Sequence, residues 1–259
     1  MKPVKKQSVS TRTRLLESAC EVFARKGYRD TTIADICRRA GTNIAAVNYH
    51  FGDKETLYVE AWRLAFHRSL EAHPPDGGVN PDATAEERLH GWILSTMKRF
   101  ADPESHEFKI IHKELANPTG LLAEVMRKSI EPLQQKLRCI VMELLGGRAS
   151  EQQVLLCQMS IRAQCFNVMM RQWHKLRNKV GIRDDGLTLA KLSIETIADH
   201  VTRFSLAGIR EIRRQIENGE LTKRGSTKNK GSKSSPAKND KADRQRSGCC
   251  SPSNSTGAC

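Results

Sequence analysis

Apolar residues along this chain recur at intervals of three and four. Leu15, Leu16, Ala19, Val22 and Phe23 form one such stripe near the start. Leu189, Leu192, Ile197, Val201, Phe204 and Ile212 form another near the end. That period belongs to helices with one buried face, whereas half-buried strands alternate strictly by two. No alternating β-branched run and no internal repeat interrupts it, so the expected fold class is all-α. Four breakers punctuate the helices. His73-Pro74-Pro75-Asp76-Gly77-Gly78-Val79-Asn80-Pro81 is a segment that no helix can cross. Asp102-Pro103 ends the helix before it, and Asn117-Pro118 reads as an N-cap with proline in the first turn. Gly146-Gly147 stops a further helix, and Ser150 with Gln153 fits a capping box that opens the next. The last two long helices are expected at about 150–178 and 187–217.

One stretch in the first part is more informative than the rest. Thr31 or Thr32 can cap a short helix whose inner face is Ile33, Ile36, Cys37 and Ala40. Gly41 stands where a left-handed residue must reverse the chain. Asn43 can cap a second short helix that turns Ile44, Val47 and Phe51 inward. Two short helices joined by a tight glycine turn make a helix-turn-helix. A single helix of that kind fits the major groove of DNA, with its early residues near the base edges.

Charge points to the same partner. The chain has 259 residues and a net charge of +14, and the excess sits at its ends. Residues 221–259 carry nine basic residues against two acids, and residues 1–14 carry five basic residues and no acid. Basic ends around a nearly balanced middle suit a polyanion, most simply nucleic acid, although basic tails also serve solubility. Beyond Asn218-Gly219 the sequence is Ser, Lys, Gly, Asn and Pro with almost nothing to bury, so a disordered tail is expected at 219–259. Three parts result: 1–58, an all-helical body at 59–218, and the tail. No apolar run approaches the roughly 18 residues of a membrane span. No secretory signal follows the basic N-terminus, so a cytoplasmic protein is expected. Eight cysteines without a CxxC pair argue against a disulfide scaffold and against a zinc site of the usual spacing.

The flanks of the helix-turn-helix extend the match. Leu15-Leu16-Glu17-Ser18-Ala19, Phe23-Ala24-Arg25-Lys26-Gly27-Tyr28, Thr31-Thr32-Ile33-Ala34, Ala40-Gly41 and Tyr49-His50-Phe51-Gly52-Asp53-Lys54-Glu55-Thr56-Leu57-Tyr58 resemble the tetracycline-repressor (TetR) family of bacterial transcription regulators. The spacing holds over about 45 residues without a gap. It departs at Asn48, where most members carry a tyrosine; here the aromatic residue is Tyr49. A weaker likeness to the CecR-like branch covers the body through Ile111-His112-Lys113-Glu114-Leu115-Ala116-Asn117-Pro118-Thr119, Ile130-Glu131-Pro132-Leu133, Ala163-Gln164-Cys165-Phe166 and the stretch from His200 to Ile209.

The resemblance implies a three-helix DNA-binding head, an all-helical ligand-binding and dimerisation body, and a homodimer on a double-stranded DNA operator. The positions expected to meet DNA are Thr32, Asn43, Ile44, Ala45, Ala46, Asn48, Tyr49, His50 and Lys54. Asparagine pairs with adenine and alanine methyls meet thymine methyls, although Asn43 has helix capping as an alternative role. Tyr49, His50 and Lys54 suit phosphates, which fix register without reading sequence. Arg38 and Arg39 touch the DNA backbone or form a solvated face. In the body, Met97, Phe100, Phe108, Ile111, Cys165, Phe166 and Met169 either fill a core or wall a cavity for an unknown small-molecule effector, with His112 and Arg162 as its polar contacts. His106, Glu107, His112 and Glu114 lack a metal-site spacing, and Cys157 and Cys165 read as core thiols. No catalytic constellation and no cofactor are expected. The competing readings are an all-α enzyme and an architectural DNA-binding protein.

Overall fold

The computed structural model describes residues 10–178 and 192–220, and their side chains except those of 167–178. Among the described residues there are nine α-helices and no strand: α1 Thr11–Lys26, α2 Ile33–Ala40, α3 Ile44–Phe51, α4 Lys54–Ala72, α5 Ala85–Ala101, α6 His106–Ala116, α7 Ala123–Leu145, α8 Glu151–Asn178 and α9 Ile194–Glu217. The expected tail beyond Glu220 lies outside the described residues.

Short side chains open most of these helices by satisfying amide donors that have no partner within the helix. Ser10 accepts from the Thr13 amide, Asp53 from Thr56 and Ser193 from Thr196. Thr32 with Asp35 and Thr84 with Glu87 form reciprocal capping boxes, as do Ser150 and Gln153. The His73–Pro81 segment separates α4 from α5 and then folds back on α5. Its approach is so close that a Cβ on Gly91 would collide with the Asp76 carbonyl oxygen. Only glycine fits there.

Three local readings are corrected. Asn117 closes α6 instead of opening a helix, and α7 starts at Ala123 after a turn through Gly120. The Asn117 side chain is engaged by Arg29, and Glu114 organises the turn in place of a side-chain N-cap. The last helix begins at Ile194, because Ser193 provides the cap; residues 187–191 of the expected start lie outside the described residues. Ile44 is turned outward and is 54% exposed, since Val47 and Phe51 alone fill the inner face of α3.

Two apolar cores result. One joins α1–α4 to Ile110 on α6 and to Leu122 and Val125 at the beginning of α7, around the buried Phe23, Tyr58 and Trp62. The other joins α5, the second half of α7, α8 and α9. The helix α4 runs unbroken across the 58/59 position and places Trp62, Ala65 and Phe66 in the first core.

Candidate nucleic-acid interface and effector cavity

The turn between α2 and α3 rests on Gly41, at φ 64° and ψ 42°, a left-handed conformation that costs glycine little. Ile36, Cys37 and Ala40 from α2 and Val47 and Phe51 from α3 are buried, which fixes the two helices against α1. Lys26 at the end of α1 donates to Asp35 at 2.7 Å. That contact, with the Thr32 hydrogen bonds, holds the Asp35 carboxyl down at about 2. The face left outward is Asn43, Ile44, Ala45, Asn48 and Tyr49, with Tyr49 85% exposed and its ring edge-on to His50 at 4.9 Å. Ala46 and His50 lie partly buried at the margin of this face, and Thr32 is exposed at the start of α2. Asn43 Oδ1 accepts from the Ala46 amide at 3.0 Å, so one side of this amide is spent on capping.

Lys54 opens α4 directly after the Asp53 cap. Its ammonium lies 4.3 Å from the Tyr28 ring centre, a cation–π contact that aims an otherwise flexible chain. Burial lowers its pKa, with Asp30 opposing. Arg38 and Arg39 stand differently from Lys54, since Asp35 holds Arg38 at 3.2 Å and Glu21 pairs with Arg39.

Helices α5, α6, α7 and α8 line a half-open cavity of about 550 Å³. Of the residues expected around an effector, Phe100, Phe108, Ile111, Arg162, Cys165 and Phe166 line it. Met97 is packed into the second core and His112 is half-buried away from the lining. Met169 belongs to α8, but its side chain is outside the described residues. The sequence reading missed two lining residues that carry charge, Arg99 and Glu107. Their signal was a charged side chain beside apolar inner-face neighbours, Phe100 in one case and Phe108 in the other.

This pair is buried: the Arg99 side chain is 9% exposed and that of Glu107 1%, with 3.5 Å between them. The Arg99 guanidinium lies 5.6 Å from the ring centres of both Phe66 and Phe108. Burial pushes the Glu107 carboxyl up to about 7 against the opposing charge of Arg99. Burial also drives the Cys165 thiol to about 12, so it stays protonated and unreactive. His106, Glu107, His112 and Glu114 point to different surroundings, and no group of three metal-ligating side chains gathers among the described residues.

The far side of α6 docks on the head. Tyr58 donates to Glu114 Oε2 at 3.0 Å, while Glu114 Oε1 accepts from the Thr119 and Gly120 amides. Arg29, between α1 and α2, donates to the Asn117 side chain at 3.0 Å and the Pro118 carbonyl at 3.3 Å. One eleven-residue helix therefore walls the cavity and grips the DNA-reading part.

An outward short helix after a glycine turn, set on an all-helical body with a half-open cavity, defines a helix-turn-helix regulator. The family model for bacterial regulatory proteins of the tetR family matches residues 15–61, and that for the C-terminal domain of the HTH-type transcriptional dual regulator CecR matches 85–209. Between them they cover more than half of the chain. It belongs to the TetR family of transcriptional regulators, with a CecR-type C-terminal domain, and is not an enzyme. The chain is 28% identical over 133 residues to TtgW of Pseudomonas putida, an HTH-type regulator itself uncharacterized; that match spans 51% of this chain and 95% of TtgW. It is 28% identical over 152 residues to the dual regulator CecR of Shigella flexneri, spanning 55% of this chain and 68% of CecR. The fold is similar to that of FadR from Bacillus subtilis, solved in complex with stearoyl-CoA, with a TM-score of 0.57 and 17% identity over 75% of this chain and 97% of FadR. No helix among the described residues is long and apolar enough to cross a membrane.

Proposed function

We propose that this regulator is a homodimeric, ligand-responsive repressor that holds a palindromic operator in the cytoplasm and releases it when a small molecule enters the α5–α8 cavity. Residues 1–58 read the DNA, 59–218 sense and dimerise, and the basic 219–259 segment adds non-specific attraction. The observation that carries this reading is the double engagement of α6. Phe108 and Ile111 line the cavity, while Glu114 and Asn117 hold the head through Tyr58 and Arg29. An effector that prefers a shifted α6 must weaken DNA binding by the same factor by which DNA weakens its own binding. The stearoyl-CoA bound by FadR supports an apolar ligand in a body of this fold.

On the DNA side, Ile44, Ala45, Ala46 and Asn48 face base edges, Tyr49, His50 and Lys54 take phosphates, and Thr32 and Asn43 lie at the margins. Sequencing of the duplex fragments retained by the purified protein, followed by footprinting, should give a palindrome with half-sites about 34–36 Å or more apart. Lys54→Ala should weaken operator and random DNA alike and lower the salt slope by about one. Asn48→Ala should instead cost about 1–3 kcal/mol at a single base position. An asymmetric footprint from one protomer, or equal losses on operator and random DNA for Asn48→Ala, would overturn this assignment.

A further inference from the structure

The chemistry of the cavity is more specific than its size. Its walls are largely aromatic and aliphatic, yet one end holds Arg99 and Glu107, both more than nine-tenths buried. Their contact is a long one at 3.5 Å, and it leaves donors and acceptors unspent. Neither Glu107 oxygen has a donor in full hydrogen-bonding geometry, although the Ser69 hydroxyl stands beside the carboxyl, and Arg99 Nε has no acceptor. Buried polar groups in this state cost stability unless something else completes them. The rings of Phe66 and Phe108 fix the guanidinium, so it is already oriented for a partner.

We infer that the cavity takes an amphipathic organic acid, its apolar body among the aromatic walls and its carboxylate on Arg99, with Glu107 as a neutral hydrogen-bond donor beside it. This rests on the α5–α8 cavity being the effector site. The sign of the headgroup follows from the charges that face it. Arg99 from α5 and Arg162 from α8 are cations, Glu107 from α6 is the one acid among the described lining residues, Gln134 from α7 is uncharged, and Cys165 is a neutral thiol. A guanidinium cannot be discharged in a protein, whereas Glu107 can take a proton near neutrality. The site can therefore gain positive charge but cannot become negative. An anion finds a cation and, after one proton is taken up by Glu107, a donor as well; an ammonium would meet two fixed cations.

Calorimetric titration of the full chain with 6-phenylhexanoate, 6-phenylhexanol and 6-phenylhexylamine keeps one apolar body and changes only the headgroup. Near neutral pH the acid should bind about tenfold or more tighter than the alcohol, and the amine more weakly than either. In two buffers of different ionisation enthalpy, binding of the acid should show proton uptake. Glu107→Gln should keep the acid's preference and abolish that uptake. Removing both charges together in Arg99→Gln/Glu107→Gln avoids stranding either one, and should bring acid and alcohol to within about threefold of each other. Equal binding of acid and alcohol to the wild type, or tightest binding of the amine, overturns the headgroup inference and leaves the cavity as a ligand site. Binding of none of the three overturns both.

Discussion

Glu107 shows how one side chain ties stability to pH. Its carboxyl is 1% exposed, and burial raises its pKa to about 7 from an ordinary 4.5. A group raised in the folded state favours folding most when it is protonated in both states. Its contribution is thus complete below about pH 4.5 and is lost as pH rises through about 7. A rise from 4.5 to about 7 corresponds to about 3 kcal/mol. The lowered His106 and His112 act in the opposite sense below their ordinary value, but they are common to wild type and variant. Urea melts between about pH 4 and 8 should therefore show wild type losing stability relative to Glu107→Gln across that window. Parallel profiles would mean that Glu107 is ionised throughout.

At the scale of elements, α6 is the piece whose two faces have different tasks. Tyr58 and Glu114 join it to α4 through a hydrogen bond to a partly buried carboxylate. In a double-mutant cycle, Tyr58→Phe and Glu114→Gln should be coupled by about 1–2 kcal/mol in urea melts. Strict additivity would show that this hydrogen bond does not help to hold the head. This contact also marks what the sequence could and could not reveal. Thr32, Gly41 and Asn43 act within four residues of themselves, so capping and turn chemistry identified α2 and α3 correctly. Ile44 misled because an apolar residue in the first turn of a short helix has no second turn to settle its direction. The docking of α6 on the head is long-range: Arg29 meets Asn117 across 88 positions, and no periodicity encodes that. Asn117-Pro118 looked like a helix start for the same reason, since its partner was distant. The apolar wall of the cavity was legible in part, through Phe100, Phe108, Ile111 and Phe166, whereas Met97 went to the core. The cavity's charged end was not, because Arg99 and Glu107 lie on different helices, and Glu107 read naturally beside His106 as a surface or metal-site residue.

For the whole molecule, the proposed homodimer calls for a surface on which two copies can meet, and the outer faces of α8 and α9 offer one. Leu155 and Leu156 on α8 are 59% and 47% exposed, and Phe204 on α9 is 63% exposed. A monomer tolerates scattered apolar residues, but several large ones on two adjoining helices mark a surface meant for a partner. A second copy of the chain is the simplest partner, because a two-fold axis would place the same helices opposite themselves and close the assembly as a four-helix bundle. Such an axis also gives the two heads the symmetry of a palindrome. Leu156→Glu with Phe204→Glu adds charge at that surface and leaves both cores intact, so the melting of the fold should change little. Sedimentation should then report a monomer. Operator affinity should fall by about a hundredfold or more, because the second head no longer benefits from being tethered to the first. A dimer that survives these substitutions would place the interface elsewhere. A monomer that still protects both half-sites with undiminished affinity would remove the reason for two heads altogether.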